Sequence, residues 1–152
     1  MPMLKVSKDK IQELRNKTGV PVMTAKRALE KAGGDFGKAL EHLKDEAALL
    51  ASHKSSRETK TGVIQSYVHA GRIGVLVELR SETDFVAKNP EFQNLAKEVC
   101  MQLAAVPAES VSELLAQPSI RDGNTTVGDW LKAAVGKFGE KIEISRFLRL
   151  EL

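Results

Sequence analysis

Within the run Ser81-Glu82-Thr83-Asp84-Phe85-Val86-Ala87-Lys88-Asn89-Pro90-Glu91-Phe92, a carboxylate, Asp84, stands beside a large aromatic, Phe85. The run begins where an apolar strand ends and finishes where an amphipathic helix starts, so it forms a protruding loop. An exposed Phe costs solubility and is most often matched to a partner's pocket. The residues alone leave a second reading open, in which Phe85 folds back onto its own core. Asp84 also has two uses: a charge presented to a partner, or a cap for the short turn before Ala87.

Covalent chemistry finds no support. Glu82 and Asp84 form a carboxylate pair in sequence, but nothing nearby raises a pKa or supplies a second catalytic group. There is no G-x-x-x-x-G-K-[ST], no H-E-x-x-H, no C-x-x-C and no G-x-S-x-G. Gly71-Arg72-Ile73-Gly74 carries only two glycines and lies inside a hairpin pattern, so it is no phosphate cradle. Aromatics are 5% of the chain, too thin to stack single-stranded bases. His42 and His53 lack ligand-type neighbours and read as surface residues. Cys100 borders an apolar helical stripe and reads as a packed thiol, with no feature that would lower its pKa.

Composition sets the frame for that loop. The 152 residues suffice for one domain, or a small module plus a modest core. Hydrophobic and charged fractions of 42% and 28% are those of a globular protein, and no apolar run approaches a bilayer span. The start, Met1-Pro2-Met3-Leu4-Lys5, lacks a secretory apolar segment, and a single cysteine suits a reducing compartment. The charge of +3 is uneven: residues 1–60 hold 13 basic and 8 acidic side chains, residues 61–152 hold 10 and 12. A basic front suits an acidic macromolecular partner reached by electrostatic steering, or is simply a solvated face.

Three elements precede the loop's own core. Ser7 caps a first helix, with Ile11 and Leu14 inward, and Thr18-Gly19-Val20-Pro21 stops and restarts the chain. A second helix covers about Met23 to Lys31. Asp35 caps a third, whose stripe is Phe36, Ala39, Leu40 and Leu43. Residues 1–50 are thus a small helical module, 51–60 a linker or helix extension, and 61–152 a core. In that core Val63–Val68 and Ile73–Leu79 form a hairpin. Asn89-Pro90-Glu91 starts a helix with Phe92, Leu95, Ala96, Val99 and Leu103 on one face. A short helix lies around Val111–Leu115, and Thr126 caps a last helix ended by Gly139. Ile142, Ile144, Leu148, Leu150 and Leu152 alternate as a strand with one buried face, Phe147 being the exception. The fold class is α+β: a three-stranded antiparallel sheet with helices on one face, behind a three-helix bundle.

Gly74-Val75-Leu76-Val77-Glu78-Leu79, followed by Glu82-Thr83-Asp84-Phe85-Val86-Ala87-Lys88-Asn89, resembles elongation factor Ts. That family exchanges nucleotide on the translational GTPase elongation factor Tu. Glu13-Leu14-Arg15, Thr18-Gly19 and Lys26-Arg27-Ala28-Leu29 are similar to the family's N-terminal, ubiquitin-associated-like module. Gln117-Pro118 and Gly139-Glu140-Lys141-Ile142 through Arg146-Phe147 are similar to the end of its core. The resemblance implies a guanine nucleotide exchange factor without covalent chemistry, binding no nucleotide or cofactor itself and acting on the GDP and Mg²⁺ held by its partner. It implies that Thr83, Asp84, Phe85 and Val86 enter the GTPase domain, Phe85 as a wedge and Asp84 near the magnesium region. Arg15, Val22 and Met23 stand at the module's contact positions. A bacterial cytoplasm follows from the same likeness.

Two departures carry expectations. Thr18-Gly19-Val20-Pro21-Val22-Met23 is the run where the family usually shows Gly-Met-Met after Thr-Gly-Ala, so one contact methionine is a shorter, stiffer valine. The connection Pro107 to Gln117 is short, so the duplicated core and helical-hairpin insertion of longer members are missing. Short members dimerise, which implies a homodimer carrying two Tu molecules, against the alternative of a monomer with one free-standing sheet. Three rival readings remain. A helical module binding ubiquitin or nascent chains accounts only for residues 1–50. A paralogue that binds Tu without exchange fits the same residues. A basic RNA-binding protein would show steeply salt-dependent affinity.

Overall fold

The computed structural model describes residues 5–152; the reading of Met1–Leu4 as free of a secretory segment lies outside them. Three helices come first: α1 (Lys8–Thr18), α2 (Val22–Lys31) and α3 (Phe36–Lys54). The Ser7 hydroxyl accepts from the Lys10 amide at 3.3 Å, and the Asp35 carboxylate accepts from the Lys38 amide at 3.0 Å. Gly19, at φ 75°, closes α1 in the left-handed region and donates its N–H to the Arg15 carbonyl. Leu14, Val20, Ala25, Ala28, Leu29, Ala32, Ala39 and Leu43 bury themselves between these helices. This small cluster is all the core the three helices share, so α3 takes support from elsewhere.

That support shows where α3 ends. It runs to Lys54, so the first four residues of the expected linker are helix extension and only residues 55–60 connect onward. Leu50 and Ala51 pack on the main core, and α3 lies along α7 (Val127–Phe138). Gly136 lets the two helices close: a Cβ there would stand 3.1 Å from the Ala47 Cβ. The local sequence of 51–54 is polar, but its helix is fixed by these tertiary contacts.

The main core sits under a three-stranded antiparallel sheet of order β1-β2-β3: β1 (Thr61–His69), β2 (Ile73–Ser81) and β3 (Glu143–Glu151). Ala70 and Gly71, both at positive φ, turn the hairpin. Helix α4 (Asp84–Ala87) follows β2 at once, and α5 (Pro90–Ala105) packs across β1 and β2. Asn89 caps α5 and Pro90 opens it, as the sequence predicts. After α6 (Val111–Ala116), Thr126 and Asp129 form a reciprocal capping box at α7. Phe92, Leu79, Val77, Val99, Leu103, Leu114 and Val127 are fully buried. The α+β class and the antiparallel sheet are as expected.

The face assignment of β3 is corrected. Leu79 pairs with Ile144 but Glu78 pairs with Arg146, so Ser145 bulges out of the ladder. One extra residue reverses the side-chain alternation from there on. Ile142 and Ile144 point inward as expected, whereas Leu148, Leu150 and Leu152 lie on the open face and are exposed. Phe147 and Arg149 take the inward positions instead. The Arg149 guanidinium donates from Nε to the Leu103 carbonyl at 2.9 Å and from Nη2 to the Ala104 carbonyl at 3.1 Å. A strand residue therefore caps the C-terminus of α5, where free carbonyls favour a cation.

Candidate functional site

The end of β2, the four residues of α4 and the turn after α7 meet at one place. Thr83 is the N-cap of α4, its backbone extended (φ −128°, ψ 154°) and its hydroxyl accepting from the Val86 amide at 3.4 Å. The Thr83 carbonyl accepts from Ala87 N–H and the Asp84 carbonyl from Lys88 N–H, completing a single turn. One turn cannot stand alone in water. Val86 and Ala87 anchor it by facing the main core, with Val86 only 4% exposed.

With positions 86 and 87 inward, position 85 must face out. Phe85 is 85% exposed. The ring does not fold back onto its own core. Its direction is set by the backbone of α4. Asp84 is also exposed, and its Oδ1 accepts from the Thr61 hydroxyl at 2.5 Å. The acid is thus held to the start of β1, and the cap of α4 is Thr83 instead of Asp84. Val86, expected among the partner-contacting residues, has no surface to offer in this conformation; its part is to hold the turn from beneath.

Further residues join the site. Glu140 Oε1 accepts from the backbone amides of Glu82 and Thr83 at 3.2 and 3.0 Å, and its Oε2 accepts from the Thr83 hydroxyl at 2.7 Å. In return, Glu82 Oε1 accepts from the Lys141 amide at 3.0 Å, and its Oε2 pairs with Arg57 at 3.4 Å. The Lys141 N–H holds the Glu82 carboxyl below its usual range; burial opposes this, and Arg57 adds to the lowering. Gly139, at φ 72°, ends α7 in the left-handed region and turns the chain so that Glu140 meets the 82–83 amides. No local signal reveals these pairings, because the partners lie 57 to 59 residues apart.

The second group of candidates lies on α1 and α2. The Arg15 Nε donates to the Val20 carbonyl at 3.4 Å, stitching the α1–α2 turn. Val22 and Met23, the first two residues of α2, are 45% and 59% exposed. These three residues sit together at one junction, separate from the sheet-end cluster of 83–86. Among the described residues, no three or more His, Cys, Asp or Glu side chains gather as a metal site, and no helix is long and apolar enough to cross a membrane. Cys100 is buried, its thiol 3.4 Å from the Gln65 carbonyl, and burial pushes its pKa up to about 11.

The family model "Elongation factor TS" matches residues 82–152. Elongation factor Ts of Thermodesulfovibrio yellowstonii is 36% identical over 186 aligned positions, covering 93% of this chain and 94% of that protein. The alignment exceeds 152 positions, so that relative carries stretches this chain lacks. Elongation factor Ts of Desulforamulus reducens is 35% identical over 99% of this chain and 90% of its own length. Elongation factor Ts of Nostoc sp. is 39% identical, and there the chain spans 48% of the relative. With such identity over nearly the whole length of two relatives, the chain belongs to the elongation factor Ts family.

Proposed function

We propose that this chain is a translation elongation factor that binds elongation factor Tu in its GDP form and promotes GDP release. The observation that carries this reading is Phe85, projecting from a turn whose other apolar residues are buried. A mostly exposed aromatic on an ordered backbone is already in the form an interface anchor needs, with little ordering cost on binding. The Phe85 ring wedges into the GTPase domain, and Asp84 beside it disturbs the region that holds Mg²⁺. Thr83 fixes the turn as its N-cap and Val86 holds it from beneath. Arg15, Val22 and Met23, on a ubiquitin-associated-like module, form a second contact with the same domain. The excess of basic side chains in residues 1–60 steers the encounter.

No covalent step is involved, and the chain itself takes no nucleotide or cofactor. The effect is a coupling free energy: if the factor loosens GDP, GDP loosens the factor equally. Each tenfold change in nucleotide affinity corresponds to about 1.4 kcal/mol. An aromatic anchor of the hot-spot kind supplies about 2–4 kcal/mol, enough to shift that equilibrium well over tenfold.

The same reading includes a homodimer in the bacterial cytoplasm. Ile64, Val68, Leu76, Leu148 and Leu150 lie exposed on the open face of the sheet. Two such faces packed together bury apolar surface that one copy leaves in water. Stimulated release of fluorescent GDP from Tu, followed over a range of factor concentrations, tests the exchange reading. Absence of stimulation by the folded chain would end it.

A further inference from the structure

The Glu140 carboxylate gathers three donors from two consecutive residues, the amides of Glu82 and Thr83 and the Thr83 hydroxyl. Those are the residues immediately before α4, the turn that carries Phe85. We propose that Glu140 is a positioning residue for nucleotide exchange: it locks the N-cap of α4 and so holds Phe85 ready to insert. This rests on the exchange reading above.

The physical case starts at Thr83. Its hydroxyl gives its proton to Glu140 Oε2, which leaves a lone pair for the Val86 amide. One acceptor on Glu140 therefore fixes both the rotamer and the polarity of the capping group. The two amides held by Oε1 fix the backbone leading into that cap. The reverse contact, Glu82 to the Lys141 amide, closes a ring that ties the 82–83 segment to the 140–141 segment on both sides. Phe85 has little packing of its own, so the backbone of α4 alone sets where its ring lies. A carboxylate with several donors in a partly buried place makes charge-assisted bonds, stronger than neutral ones. Aspartate at 140 would fall one methylene short. Glutamine would keep an oxygen for the two amides and offer an N–H to the Thr83 hydroxyl.

The test compares wild type, Glu140→Ala, Glu140→Asp and Glu140→Gln in fluorescent GDP release from Tu, each over a full concentration range. The junction of α1 and α2 is untouched, so docking persists while insertion is impaired. Glu140→Ala and Glu140→Asp should lower the maximal release rate by roughly ten- to hundredfold. The half-saturating concentration should move by less than about threefold, the split expected when competence and not docking is lost. Glu140→Gln keeps an acceptor for the two amides but turns the Thr83 partner from acceptor to donor, so it should recover only part of the rate. Amide hydrogen exchange in residues 83–88 of the free chain should quicken in Glu140→Ala and Glu140→Asp and quicken less in Glu140→Gln. A wild-type maximal rate in Glu140→Asp, or equal losses in the aspartate and glutamine variants, would overturn the positioning role while leaving the exchange reading intact. No stimulation by wild type, with normal protection of 83–88, would instead remove the exchange reading on which the role depends.

Discussion

The Thr61 hydroxyl donates to Asp84 at 2.5 Å, tying the first residue of β1 to the acid that precedes the exposed Phe85. The bond joins residues 23 apart and fixes where the carboxylate points before any partner arrives. Thr61→Val removes the donor and keeps the shape. Because the contact is exposed, the stability loss in a denaturant titration should be about 1 kcal/mol or less. GDP release should fall several-fold if the direction of Asp84 matters, and stay at the wild-type level if only its presence does.

Glu82 gives the fold an acid-sensitive joint. Its carboxyl is held low mainly by the Lys141 amide, with Arg57 assisting against burial. A depressed folded pKa contributes stability that is fully present above the unfolded value, about 4.3 for glutamate, and is lost as pH falls through the lower folded value. The thermal unfolding midpoint of wild type should therefore fall as pH drops below about 4.3. Glu82→Gln should be less stable than wild type at neutral pH, and the gap should narrow in that acid range.

Arg149 caps α5 from the neighbouring strand. Its side chain is 13% exposed and donates to two carbonyls at the helix end. Arg149→Ala should cost about 1.5–3 kcal/mol in equilibrium unfolding, since both carbonyls lose a charged donor. Arg149→Lys should recover only part of this, because an ammonium cannot reproduce the planar fork.

Leu148 and Leu76 are register partners in the middle of the open sheet face. Leu148→Asp should leave the monomer fold intact, because the residue is exposed, yet abolish self-association through this face. Sedimentation equilibrium of both proteins decides it. A wild type that is monomeric at all concentrations removes the homodimer from the proposed function.

The sequence carried the elements better than their faces. Caps at Ser7, Asp35, Asn89 and Thr126 are local chemistry, and each stands where its residue type predicts. The reversal of β3 was hidden because a bulge at Ser145 depends on pairing with β2. Alternation through Leu148 and Leu150 looked like a buried face and is an exposed one. The extension of α3 was ambiguous for a similar reason: the contacts of Leu50 and Ala51 lie in the main core. At the candidate site, Phe85 beside Asp84 was legible as a pair, and its exposure followed only once Val86 and Ala87 claimed the inward positions. Glu140 stood in the sequence only as part of the core's closing motif, and neither its role nor that of Thr61 at the site was legible, since those roles exist only across long sequence separations.

The most direct test of the central claim is GDP release from Tu driven by wild type and by Phe85→Ala. The ring is mostly in water, so its loss should leave the unfolding midpoint almost unchanged. As an insertion anchor worth about 2 kcal/mol or more, its removal should slow stimulated release by roughly thirtyfold or beyond. Stimulation by Phe85→Ala equal to that of wild type would contradict exchange by aromatic insertion.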